Sequence, residues 1–293
     1  MTSRGYDKSA EPGEGGRATG VVAAFVLALV FITLSGLPAM FVGGDPEGSD
    51  WKGMLPTLFS FAFAWLFVAL WLRWRERRPF TSIGLRPADP ARQALYGVLA
   101  AAGLLAVSLV PLVAGGVLHF DGGTVAVGPW IVLLLAFLVQ GGAEEVVYRG
   151  FLLQAARRRL PVFAAICVQT LAFLLPHVVN PGMTAIGLAN VLFAGLFFGY
   201  LAVWTGSLWA PILGHALWNW SQGAIFGYHV SGIPIDGVAL LTPHAEDGAS
   251  SALTGGENGI EGMLTAVVAL LLGTAVLAFL VHRRGPVTGP RRP

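Results

Sequence analysis

Eight apolar stretches of the chain are each long enough to cross a membrane as a helix. About 20 residues of helix span the roughly 30 Å of hydrocarbon in a bilayer. The stretches cover residues 20–42, 53–74, 93–115, 128–153, 161–178, 185–204, 207–227 and 263–282. Only 12% of the 293 residues are charged and 55% are hydrophobic, which is too few charges to cover a water-soluble globule of this size. The sequence therefore predicts an all-α, polytopic membrane protein with about eight transmembrane helices.

The positions of the basic residues predict how these helices are oriented. Sixteen of the eighteen Lys and Arg residues lie at the two ends of the chain, between the second and third stretches, or between the fourth and fifth. The exceptions are Lys52 and Arg149. Because Lys and Arg accumulate in cytoplasmic loops, we expect both termini and every second loop in the cytoplasm. Sixteen Arg against two Lys is typical of GC-rich bacterial genomes, so we expect a multi-pass protein of a bacterial plasma membrane.

The polar parts of the chain define its organisation. Residues 1–19 are polar and Gly-rich, which is typical of a disordered cytoplasmic tail, and residues 284–293 form a second tail. Residues 20–283 then make up a single membrane domain. The segment 228–261 is rich in Gly, Ser and acidic residues and has no helical period, so we expect a mobile external loop.

Three ionisable residues lie within the fourth apolar stretch: Glu144, Glu145 and Arg149. A charge near the middle of a membrane costs several kcal/mol or more, so such groups face the bundle interior, pair with each other, or take part in chemistry. Glu145 and Arg149 are four residues apart, which places them on one helix face where they can form an ion pair. Glu144 is rotated by about 100° and lacks this partner. We interpret Glu144 as the carboxylate available for chemistry.

Two other apolar stretches carry histidines. His177 follows Phe173 by four residues in the fifth stretch, and His215 and Asn219 have the same spacing in the seventh. A carboxylate held away from water is a stronger general base, and a histidine from another helix can hold the same water. His215 and Asn219 can donate hydrogen bonds to the oxyanion of a tetrahedral intermediate. These residue types suit hydrolysis of an amide bond by water that Glu144 and His177 activate.

Three short motifs, in order and on separate stretches, carry a family resemblance. They are AEEVVYRG at 143–150, FLLPH at 173–177 and HALWN at 215–219. They resemble the motifs of the CAAX prenyl protease and bacteriocin-processing family, also called CPBP or Abi, whose members are intramembrane glutamate endopeptidases of eight-helix architecture. The resemblance covers about residues 80–225.

This resemblance implies roles for the same residues. It implies that Glu144 is the catalytic base, that His177 helps to activate the water, and that His215 and Asn219 stabilise the oxyanion. Glu145 and Arg149 would support the site, and Phe173 is a further supporting residue. The expected substrate is a membrane-associated peptide or a lipid-modified protein, and no cofactor is required.

Other functions remain open at this point. A metal-dependent protease is one, since Glu144, His177 and His215 could bind zinc, although the sequence contains no HExxH motif. A transporter could use the same buried acids and histidines as a proton relay, although we see no inverted repeat. A non-catalytic immunity or scaffold protein would bind a partner in the membrane. The sequence shows no basic and aromatic surface for a nucleic acid.

Overall fold

The computed structural model describes residues 11–42, 51–86 and 89–283, and α-helices make up most of them. The helices are α1 (Val21–Val42), α2 (Trp51–Ser60), α3 (Ala62–Trp71), α4 (Pro90–Ala114), α5 (Val127–Glu145), α6 (Leu153–Arg157), α7 (Val162–His177), α8 (Ala185–Thr205), α9 (Trp209–Trp220), α10 (Ser251–Thr254) and α11 (Leu264–Arg283). Two strands, β1 (Leu118–Gly122) and β2 (Leu241–Ala245), pair in antiparallel orientation. The structure is thus mostly helical, as predicted, with one small sheet that the sequence analysis did not predict.

Short segments of other helical types continue or connect these elements. Three π-helical segments follow α3, α5 and α9 directly, at Leu72–Glu76, Val146–Leu152 and Ser221–Ile225. Two 3₁₀ segments lie at Phe80–Ile83 and Gly256–Gly262.

Six helical segments of the described chain are long and apolar enough to cross a membrane. They are Val21–Ala39, Trp51–Glu76, Pro90–Ala114, Val127–Arg157, Ala185–Thr205 and Gly256–Arg283. The fifth and seventh predicted stretches contain α7 and α9, which have 16 and 12 residues. Both are shorter than the roughly 20 residues that a perpendicular span needs. The protein is therefore a multi-pass membrane protein, whereas eight crossings and cytoplasmic termini remain predictions.

Helix α9 occupies a central position among these helices. It packs against α4 on one side and α5 on the other, while α8 packs between α7 and α11. This arrangement brings the helices that carry the three sequence motifs next to one another.

Glu76 joins several segments on one face of the bundle. Its buried carboxylate accepts hydrogen bonds from the Thr19 hydroxyl at 2.6 Å and the Arg78 guanidinium at 2.7 Å. Two nitrogens of Arg158 also donate to it, at 3.0 and 2.8 Å. The backbone N–H of Leu208 donates to the Gly84 carbonyl oxygen at 2.9 Å, which adds the α8–α9 turn to the same face. We call residues 11–19, 72–86, 157–160 and 205–209 the basic face.

The opposite face consists of residues 116–126, 178–184 and 228–262, which we call the sheet face. The last of these segments contains β2, α10 and a 3₁₀ turn, and it contacts the helices closely. The Trp130 indole N–H donates to the Val238 carbonyl oxygen at 2.6 Å, and the Thr184 N–H donates to the Asn258 side chain at 3.1 Å. The segment thus has more regular structure than its composition predicted, and its mobility remains a prediction.

The predicted tails lie partly outside the described residues. Residues 1–10 and all of 284–293 are not described. Residues 11–19 are part of the basic face and contact the segment after α3, where the Gly13 N–H donates to the Glu76 carbonyl oxygen at 2.9 Å.

Replacing Glu76 with alanine should strongly destabilise the protein. The change leaves Arg78 and Arg158 without their buried acceptor, and loss of one partner of a buried ion pair costs about 3–5 kcal/mol. Glu246→Ala is the matched control, because Glu246 pairs with His119 at 3.7 Å with 68% of its side chain exposed, and exposed pairs contribute about 1 kcal/mol or less. Thermal unfolding in detergent measures both changes. Equal midpoints for the two variants would contradict the assignment of Glu76 as a central contact.

Candidate active site

The first motif lies where α5 changes into a π-helical segment. Glu144 and Glu145 are the last two residues of α5, and Val146–Leu152 follows with the wider π geometry. π-Helical turns inside helices occur frequently at functional sites. Glu144 is 6% exposed, Glu145 0% and Arg149 1%, so all three ionisable groups are inside the bundle.

Glu145 contacts two basic side chains through one of its oxygens, Oε1, and its Oε2 has no hydrogen-bond partner among the described residues. Its Oε1 atom lies 3.1 Å from the Arg149 guanidinium, which confirms the predicted ion pair. The Nδ1 atom of His215 on α9 lies 2.9 Å from the same oxygen, a contact that the sequence analysis did not predict. The Arg149 guanidinium also lies 4.5 Å from the centre of the Phe173 ring and 5.7 Å from that of Phe198. Glu145 therefore connects α5 to α9 and neutralises a buried arginine.

The contact with Glu145 determines how His215 can act. A carboxylate beside an arginine is an acceptor, so the His215 Nδ1–H donates to it. In neutral His215 the proton is then on Nδ1, and Nε2 carries only a lone pair. His215 can therefore donate to an oxyanion through Nε2 only when it is protonated. Its Nε2 lies 3.8 Å from Glu144 Oε2, and the Phe198 ring stacks on it with ring centres 5.2 Å apart.

Glu144 differs from its neighbour because the hydrogen bond to its carboxylate comes from an amide and not from a basic side chain. The Gln140 amide donates to Oε1 at 2.7 Å, whereas Oε2 has no hydrogen-bond partner among the described residues. The Asn219 amide donates to the Gln140 side-chain oxygen at 3.1 Å. Asn219 therefore reaches Glu144 through Gln140, a residue that the sequence analysis missed. The sequence could have indicated Gln140, because it precedes Glu144 by four residues on the same helix.

The structure gives His177 a defined tautomer. His177 is the last residue of α7, and its Nδ1 lies 2.7 Å from the backbone carbonyl oxygen of Phe173. A carbonyl oxygen only accepts, so Nδ1 is the donor and Nε2 carries the lone pair in the neutral ring. The Phe173 ring lies 4.6 Å from the His177 ring and meets the Tyr148 ring edge-on at 5.4 Å. Phe173 thus packs between the side chains of the first two motifs.

Two adjoining cavities connect the side chains of the three motifs. The larger, of about 220 Å³, is lined by Glu144, His177 and Asn219 together with mainly apolar side chains. The smaller, of about 30 Å³, is lined by His177, His215 and Asn219, and it is large enough for about two water molecules. The cavities share His177, Asn219 and Ser231. The four residues predicted to act together are therefore close neighbours, whereas their catalytic roles remain proposals.

Two further polar side chains line these cavities. Tyr148 lines the larger one, and its buried hydroxyl has no hydrogen-bond partner among the described residues. Glu261 lines the smaller one and accepts hydrogen bonds from Gln222 at 3.2 Å and Ser231 at 2.9 Å. The position of Tyr148 one helical turn after Glu144 could have indicated it. Nothing in the sequence relates Glu261 to the motifs, because it comes from the sheet face.

The described residues around the cavities do not have the arrangement of a metal site. Across the described part of the chain, no group of three or more His, Cys, Asp or Glu side chains has an arrangement that could hold a metal ion. Glu144, His177 and His215 therefore form a set of polar groups around two cavities, with Glu145 as the acceptor nearest to His215.

Comparison with known proteins agrees with the arrangement of the motifs. Residues 126–221 match a family model described as type II CAAX prenyl endopeptidase, Rce1-like. The matched segment runs from the residue before α5 to the residue after α9 and so contains all three motifs. A search of curated proteins finds no match. Residues 126–221 are thus similar to the Rce1-like type II CAAX prenyl endopeptidases, which confirms the resemblance to CAAX proteases over this part of the chain.

Proposed function

We propose that the protein is an intramembrane endopeptidase in which Glu144 and His177 activate a water molecule to hydrolyse a peptide bond. The observation that carries this proposal is the contrast between the two adjacent glutamates. Glu145 contacts Arg149 and His215 and lines neither cavity, whereas Glu144 lines the larger cavity together with His177. A carboxylate with these surroundings suits a general base better than a structural group.

In the first step, water binds between Glu144 Oε2 and His177 Nε2. Glu144 accepts a proton as the water oxygen forms a bond to the substrate carbonyl carbon, and the carbonyl oxygen becomes an oxyanion. The lone pair on His177 Nε2 orients the water by accepting its second hydrogen. No side chain forms a covalent bond to the substrate in this step.

In the second step, hydrogen-bond donors stabilise the oxyanion. The Asn219 amide has two hydrogens and uses one on Gln140, so the other can reach the oxyanion. Protonated His215 adds a donor at Nε2, and the carboxylates of Glu144 and Glu145 lie on its two nitrogens. The carbon–nitrogen bond then breaks, and the proton held by Glu144 passes to the leaving amine.

The lining of the larger cavity supports an apolar or lipid-modified substrate. Besides the polar groups, it contains side chains such as Ile32, Leu58 and Phe137. We propose a membrane-associated peptide or a lipid-modified protein as substrate, and a bacterial plasma membrane as the location. The family description adds support for prenylated CAAX peptides as the first substrates to test.

Replacing Glu144 with glutamine should abolish cleavage. The amide keeps the size of the side chain but cannot accept a proton from water, and loss of a general base lowers rates by about 10²–10⁴-fold. The measurement is hydrolysis of a prenylated CAAX peptide and of a peptide pool by the purified chain in liposomes. The control is Glu246→Gln, because Glu246 is an exposed residue directly after β2. This variant should keep full activity.

Full activity of Glu144→Gln would overturn the proposed mechanism. Proton or solute flux that is blocked by Glu144→Gln, without any peptide hydrolysis, would instead support a transporter. If the parent chain and the Glu144→Gln variant both bind a membrane partner and neither hydrolyses a peptide, the protein is a scaffold.

Replacing Tyr148 with phenylalanine should lower the cleavage rate without destabilising the protein. The Tyr148 hydroxyl has no partner in the described structure, so its removal leaves no other group unsatisfied. If the hydroxyl donates to the substrate, its loss should reduce kcat by about 10-fold or more, as loss of other oxyanion donors does. Tyr228→Phe, which also removes a buried hydroxyl without a partner, is the matched control. Equal activity of the two variants would show that the Tyr148 hydroxyl takes no part in cleavage.

Treatment with a chelator should leave the activity unchanged. The proposed chemistry uses only carboxylate, imidazole and amide groups, so dialysis against EDTA should not alter the hydrolysis rate. Activity that is lost with EDTA and restored by zinc would show that Glu144, His177 and His215 bind a metal, and the mechanism above would then be wrong.

A further inference from the structure

The two faces of the helix bundle differ sharply in basic residues. The basic face carries nine of the described Arg side chains, at positions 17, 73, 75, 77, 78, 86, 157, 158 and 159. The three segments of the sheet face, residues 116–126, 178–184 and 228–262, contain no Lys or Arg at all. Because basic residues mark the cytoplasmic ends of membrane helices, this difference predicts that the basic face lies in the cytoplasm and the sheet face outside.

The larger cavity extends from Glu144 to the sheet face. Its lining includes Asn180 from the segment after α7, and Val230, Ser231 and Ile233 from the segment after α9. No described residue of the basic face lines it. A substrate in this cavity therefore contacts the sheet face.

The space between Glu144 and the basic face is filled with apolar side chains. Val146, Val147, Phe151 and Leu152 are all 0% exposed and belong to one core cluster with Leu72, Ile83 and Leu208 of the basic face. A Cβ atom on Gly150 would lie only 2.9 Å from the side chains of Ile83 and Leu208. Among the described residues, packing of this density leaves no passage for a peptide from the basic face to Glu144.

From these observations we infer that the substrate enters the site from the extracytoplasmic face. This inference rests on the proposed peptidase function and specifies its substrate class. The substrate is a polypeptide whose scissile segment lies outside the cytoplasm or in the outer half of the membrane, with an apolar stretch that fits the cavity. A soluble cytoplasmic tail cannot reach Glu144 in this arrangement.

Labelling of single cysteines in intact cells tests the inference. The full-length chain first receives Cys167→Ser, because Cys167 is an exposed free cysteine. One cysteine is then introduced at a time: Ile233→Cys where the sheet face lines the cavity, Val125→Cys on the sheet face away from the cavity, or Arg75→Cys on the basic face. Val125 is 71% exposed and Arg75 is exposed, so both report the orientation. The probe is a small membrane-impermeant maleimide, applied before and after the cells are permeabilised.

The inference predicts that Ile233→Cys and Val125→Cys react in intact cells and that Arg75→Cys reacts only after permeabilisation. The reverse pattern overturns it. Reaction of Val125→Cys alone in intact cells also overturns it, provided that Ile233→Cys reacts in detergent. If Ile233→Cys is unreactive even there, Asn180→Cys serves as the cavity position, and failure of both to react from outside overturns the inference.

This outcome is independent of the test of the proposed function. Labelling requires no cleavage, so a chain without peptidase activity still reveals the side on which the cavity opens. Conversely, an inward-facing cavity would leave the hydrolysis by Glu144 intact and would change only the substrate class.

Discussion

A buried arginine needs an acid next to it, and this requirement organises the centre of the protein. Arg149 is 1% exposed, and an unpaired charge in such a place is unstable by several kcal/mol. Glu145, one helical turn earlier, neutralises it at 3.1 Å and also accepts a hydrogen bond from His215. The aromatic rings of Phe173 and Phe198 enclose the guanidinium. One ion pair thus connects α5, α7, α8 and α9, which are the helices around the candidate site.

The same arrangement leaves the neighbouring carboxylate available. Glu145 contacts both basic side chains through one oxygen, whereas Glu144 lines the larger cavity and lies 3.8 Å from the His215 ring. Gln140 holds one oxygen of Glu144 and is itself held by Asn219, which fixes the orientation of the carboxylate. The structural pair and the proposed base are adjacent in sequence but different in surroundings, and this difference lets one π-helical junction provide both rigidity and reactivity.

Much of this could be predicted from the sequence because it depends on spacing along single helices. The four-residue separation of Glu145 and Arg149 predicted their ion pair, and long apolar stretches predicted the helices. Contacts between elements distant in sequence could not be predicted in the same way. The hydrogen bond of His215 to Glu145, the place of Glu261 beside the site and the pairing of β1 with β2 all depend on how the helices pack, which has no local signal. Helices α7 and α9 are shorter than their apolar stretches, since hydropathy does not determine where a helix begins and ends.

The central claim is that Glu145 is structural and Glu144 is not, and unfolding free energies test it directly. The variants Glu145→Gln and Glu144→Gln make the same chemical change at adjacent buried positions. Glu145→Gln leaves the Arg149 charge without its acid and should lower the free energy of unfolding by about 3–5 kcal/mol. Glu144→Gln removes a carboxylate that pairs with no arginine among the described residues and keeps an acceptor for Gln140, so stability should stay within about 1 kcal/mol of the parent or increase. Equal losses, or a larger loss for Glu144→Gln, would contradict the account.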